Sequence, residues 1–101
     1  MVKSYPELID KLNEFEEGLV EHGDITAAYV QLYDLSTDLI YYNISIYNTL
    51  DQNIVLKIGS NEITILTNTS RAFDNFPHNG ILYIKAKSSL PSSGQLQVVS
   101  F

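Results

Sequence analysis

Apolar positions along this chain follow two different periods, and the change falls at Gly23-Asp24. Before it, Leu8, Ile9, Leu12, Phe15, Leu19 and Val20 recur at spacings that keep one stripe on a 3.6-residue period. Glu7, Asp10, Lys11, Glu14, Glu17 and Glu21 fall largely on the opposite side. Ser4-Tyr5-Pro6-Glu7 matches a capping box, with Pro6 in the first turn where its missing N–H is harmless. The pattern predicts an amphipathic helix over about 6–21, weakened at Gly18 and ended by Gly23.

Beyond Asp24 the period becomes two. Ile25 to Tyr33 predicts a first strand, and Leu39 to Asn48 the best one. In the latter, Tyr42, Ile44 and Ile46 are expected on one face, with Tyr41, Asn43, Ser45 and Tyr47 on the other. Ile54, Leu56 and Ile58 line a core face, Gly59-Ser60-Asn61 is a tight hairpin turn, and Ile63 and Ile65 continue on the returning strand. Residues 67–80 read as a long polar loop. Strands follow over Ile81 to Ala86 and Gln95 to Ser100. The layout predicts a mainly β fold: an antiparallel β-sandwich or small barrel of about six to seven strands, preceded by one N-terminal helix. Two parts are expected, an acidic helix over 1–23 and a sandwich domain over 24–101.

Charge sharpens this division. Residues 1–24 hold seven acids against two lysines, while residues 25–101 are nearly balanced. Direct contact with nucleic acid or an anionic membrane is disfavoured, because either needs a basic face. The chain has no cysteine, which excludes disulfides and thiolate chemistry and fits synthesis in a reducing cytoplasm. No secretory signal and no span of membrane length are visible.

The residues suggest no catalytic centre, and no metal or cofactor site. His22 and His78 read as isolated surface histidines, and Asp34 and Asp38 as turn residues rather than a carboxylate pair. The sequons at Asn43 and Asn68 mean little without secretion. What remains is surface. The stripe residues Leu8, Leu12, Phe15 and Leu19 are candidate docking positions. Tyr41 and Tyr47, sharing an outward strand face, are a second candidate contact or a platform for sugars.

Three segments carry a resemblance. Asp24-Ile25-Thr26-Ala27-Ala28-Tyr29, Ile46-Tyr47-Asn48-Thr49 with its polar loop, and Gly80 to Lys87 followed by Ser92-Ser93-Gly94-Gln95-Leu96-Gln97-Val98 are similar, in this order, to small β-rich virion structural proteins of tailed bacteriophages. Lys57-Ile58-Gly59-Ser60-Asn61 takes the place of that group's aspartate-glycine hairpin, without the aspartate. The likeness covers about residues 24–101. It implies a non-enzymatic virion protein made in the host cytoplasm: a capsid-associated auxiliary or decoration protein first, a portal or tail accessory subunit second. Its partners would be capsid, portal or tail subunits, with homo-oligomerisation open. Two other classes compete, a carbohydrate-binding module and a small inhibitor or adaptor acting through the acidic helix.

Overall fold

The computed structural model describes residues 16–32 and 34–101. They form eight strands: β1 (Glu16–Glu21), β2 (Val30–Leu32), β3 (Ile44–Asn48), β4 (Ile54–Ile58), β5 (Asn61–Ile65), β6 (Thr69–Phe73), β7 (Leu82–Ala86) and β8 (Gln95–Ser100). Every pairing is antiparallel. Two four-stranded sheets result, sheet A in the order β1-β8-β3-β6 and sheet B in the order β2-β7-β4-β5. They pack as a sandwich. First pairs with last, second with seventh, third with sixth and fourth with fifth. The chain is therefore one long hairpin, its tip at β4–β5, rolled up on itself, which is the jelly-roll arrangement.

The core is the set of inward residues of both sheets. Val20, Ile44, Ile46, Leu96 and Val98 come from sheet A, and Leu32, Ile54, Leu56, Ile58, Ile65, Leu82 and Ile84 from sheet B. Each large side chain fully buried here contributes about 1.5–3 kcal/mol.

The helix expected over about 6–21 does not extend through its last turns. Glu16–Glu21 is strand β1, paired with β8 from Glu16↔Ser100 to Glu21↔Gln95. The sandwich thus begins before the expected boundary at 23/24. Within β1, Glu17, Leu19 and Glu21 are exposed while Gly18 and Val20 are buried, a period of two. Adjacent Leu19 and Val20 mimic a helical stripe, but only Val20 faces the core. A Cβ at Gly18 would come within 2.8 Å of a Leu32 methyl, so the missing side chain is what lets β1 close over β2. Residues 1–15, with Leu8, Leu12 and Phe15, lie outside the described residues. Gly23 sits in a 3-10 turn, His22–Asp24, and no α-helix occurs among the described residues.

A second correction concerns the best-patterned strand. Regular β3 starts only at Ile44, because the backbone bulges just before it. The N–H groups of Tyr42 and Asn43 both donate to the carbonyl of Phe101, at 3.0 and 2.9 Å, so two residues oppose one. The extra residue reverses the alternation. Tyr41 turns inward (5% exposed) and Tyr42 outward (56%), opposite to the expectation, whereas Ile44, Ile46 and Tyr47 keep theirs.

The end of the sandwich holding the β3–β4 and β7–β8 loops is fixed by side chains. Asn48, 1% exposed, donates from Nδ2 to the carbonyls of Gln52, Ile65 and Leu66 and accepts at Oδ1 from Leu50 N–H. The Thr49 hydroxyl donates to the Gln95 carbonyl and accepts from Gln95 N–H. Asp51 accepts from the Ser92 N–H (2.9 Å) and hydroxyl (2.6 Å). These bonds, the hydroxyl's first, hold the Asp51 carboxyl below its ordinary value. A depressed folded-state value means the contribution is present above the unfolded value and fades as pH falls through the folded one. Ser92→Ala should therefore lower stability at neutral pH, and the gap to the parent should close in acid. Urea midpoints measured from pH 7 down to pH 2.5 check this; a constant gap would assign the loss to something other than Asp51.

Candidate protein interface

Among the described residues, the arrangement with the look of chemistry is inside the fold. The 76–80 loop bridges to Tyr41, whose N–H donates to the His78 carbonyl at 2.7 Å while His78 N–H donates back at 2.9 Å. This puts the His78 ring between Tyr41 and Phe76, with centroids 5.6 and 5.7 Å away. His78 Nδ1 lies 2.6 Å from the Phe76 carbonyl and Nε2 lies 2.9 Å from Ser100 Oγ. A carbonyl only accepts, so Nδ1 carries the proton and Nε2 accepts from the serine. Such a pairing would suit a nucleophile and its base. But Ser100 is completely buried, so its hydroxyl is closed to any substrate, although His78, nearly buried, borders the open cleft beside Phe76 and Pro77. The pair is a satisfied polar contact within the core, and His78 is not the surface residue its sequence context predicts.

The other candidates are structural too. His22 is half-buried with Nδ1 3.1 Å from the Gly94 carbonyl. Asp34 Oδ2 accepts from Leu19 N–H at 3.2 Å, occupying a donor on the edge of β1 that no described strand pairs, where it hinders pairing with another chain. Asp38 N–H donates to the Ser36 hydroxyl within its turn. Among the described residues no three of His, Cys, Asp and Glu gather at metal-binding distance.

The surface is more informative. On the outward side of sheet A the strand registers line up rows. One runs Leu19, Gln97, Tyr47, Ser70; another runs Glu17, Val99, Ser45, Ala72. Leu19 (46% exposed) and Tyr47 (45%) flank Gln97, whose Nε2 donates to Glu17 Oε1 at 2.5 Å. In these rows Glu17 is the only charged residue, and it sits on the edge strand. A flat face with a central tyrosine and charge at its border has the composition of an interface core. Of the positions expected to make contacts, Leu19 and Tyr47 share this face. Tyr41 does not, being buried, and Leu8, Leu12 and Phe15 fall outside the described residues.

The outward side of sheet B differs. Lys57 and Lys85 place their ammonium groups 5.5 and 4.7 Å from the Tyr29 ring centre, and Lys87 Nζ donates to Thr64 Oγ1. Burial, reinforced by the neighbouring Glu62 carboxylate, pushes the Tyr29 phenol above its ordinary pKa. No local pattern in the sequence announces this cluster. Its trace is split between the alternation Tyr83, Lys85, Lys87 and the outward Lys57.

At one end of the sandwich Leu39, Ile40, Tyr42 and Phe101 are each more than half exposed. Ile40 also borders an open cleft of about 550 Å³ with Ile58, Phe76 and Pro77. No family model matches the chain, and no curated protein matches it.

Proposed function

We propose that this protein is a structural subunit of a tailed-phage virion: a capsid-associated auxiliary or decoration protein first, a portal or tail accessory subunit second. The strand order β1-β8-β3-β6 over β2-β7-β4-β5 carries the reading, since this rolled hairpin recurs in viral coat domains. Lectins and cupins use the same architecture, so the fold by itself assigns no activity. The segments that resemble phage virion proteins supply the rest. The saccharide-binding alternative loses its basis, because Tyr41 is buried and cannot form a platform with Tyr47.

The test is association with particles. Intact virions banded on a density gradient should carry the chain in a fixed ratio to the major coat protein. A full-length variant with Leu12→Asp and Phe15→Asp should keep its β-sheet circular dichroism yet stay at the top of the gradient. Absence of the parent chain from banded particles would overturn the proposal. Collapse of the fold in the variant would reassign the N-terminal apolar residues from docking to core.

A further inference from the structure

We propose that copies of this chain associate face to back, the outward side of sheet A on one copy seating against the lysine-bearing side of sheet B on the next. The inference rests on the reading of the protein as an assembly subunit, and names one partner, a second copy.

Charge segregation is the first support. Residues 16–56 contain no lysine or arginine, and β1 places Glu17 and Glu21 on the outward side of sheet A. Of the four cations of residues 16–101, Lys57, Lys85 and Lys87 belong to sheet B or its immediate continuation. Arg71 of β6 shares a register position with inward Ile46, not the outward side of sheet A, and donates to the Thr64 carbonyl. Spacing is the second. Glu17 and Glu21 lie four residues apart on one strand, about 14 Å. Lys57 pairs with Tyr83, so Lys87 stands four residues along the adjacent strand, also about 14 Å from Lys57. The backbone spacing of the two glutamates therefore matches that of the two lysines, with Leu19 between the glutamates and Tyr47 in the same row two strands over.

Sign decides the mode. Face A against face A would bring glutamates together, and face B against face B would bring lysines together. The outward side of sheet B also carries Glu62, the cross-strand partner of Lys57, but with Lys57, Lys85 and Lys87 it stays net positive, so A against B is the pairing that joins faces of opposite net sign. A contact between unlike faces leaves one of each free, so it propagates into a ring or a row.

Sedimentation velocity of the full chain at low ionic strength tests this. The parent should associate with rising concentration, and 0.5 M salt should weaken the association. Glu17→Lys with Glu21→Lys, and separately Lys57→Glu with Lys87→Glu, should each raise the concentration for half-association at least tenfold. An equimolar mixture of the two variants should recover it, since each supplies the face the other has lost. A parent that stays monomeric, variants that associate like the parent, or a mixture that does not recover would each overturn the proposal. The result is independent of particle binding: a chain absent from virions that still shows the charge-swap pattern would defeat the virion reading alone.

Discussion

Gly94→Ala should lower the stability of this protein by about 3–4 kcal/mol, a large part of the 5–15 kcal/mol typical of a single domain. Gly94 has φ +88°, where an L side chain is strained by about 1–2 kcal/mol. In addition, a Cβ there would lie 2.1 Å from the Thr49 carbonyl oxygen and 2.6 Å from its carbon. Both are backbone atoms and cannot swing aside. Relief requires the two chain segments to part, at the expense of the Thr49–Gln95 bonds and of Asp51 N–H donating to the Ser93 carbonyl. Gly59→Ala is the matched control. Gly59 also has positive φ, +60°, but nothing lies within 4 Å of its Cβ position, so only about 1 kcal/mol should be lost. Urea unfolding followed by tyrosine fluorescence separates them, as the chain has seven tyrosines and no tryptophan. Equal losses would show that the contact with Thr49 does not matter.

The second large effect is expected at Asn48. Asn48→Ala leaves the Ile65 carbonyl and the Leu50 N–H without their side-chain partner in the interior, at about 1–3 kcal/mol for each unsatisfied group, hence about 3–4 kcal/mol in all. Asn48→Asp should be worse at neutral pH, because a carboxylate would face three carbonyl oxygens and has no proton to donate. In acid its protonated form can donate again, so the aspartate variant should regain part of its deficit at low pH and the alanine variant should not. Parallel pH dependence in the two variants would contradict this account.

These two sites show what the sequence does and does not disclose. The β4–β5 hairpin and strands β7 and β8 are legible because local chemistry and burial agree: alternating Ile54, Leu56, Ile58, then Gly59-Ser60, then Ile65. β6 is not. Thr69–Phe73 lies at a sheet edge, its middle residues exposed, and so carries little apolar alternation. Its start is set by Asn68 at φ +55°, and a polar run of this kind reads as loop. β1 fails for the opposite reason, since Leu19 and Val20 supply apolar bulk that fits a helix until the partner strand is known. The inversion of Tyr41 and Tyr42 depends on two N–H groups sharing the Phe101 carbonyl, about sixty residues away, which no local pattern announces. The candidate surfaces were half legible. Tyr47 and Leu19 stand out along the chain, but their common row through Gln97 needs the register, and the lysines around Tyr29 need β4, β7 and the residue before β2 to meet.

The order of strands in sheet A also dictates a timetable. β8 lies between β1 and β3, so β1, the first of the described strands to be synthesised, has no pairing partner among them until residues 95–100 have emerged. At about 5–20 residues per second that interval is roughly 4–16 s. β4 and β5 can zip within it, since they are neighbours in the chain, and β7 can then join β4. Closing the pair farthest apart in sequence comes last, and contacts of such high sequence separation are what make β folds slow. Until then β1 is unpaired by any described strand, and a β8 from another nascent chain offers it the same register as its own. On a crowded polysome, β1 is thus the described strand most open to exchange between copies.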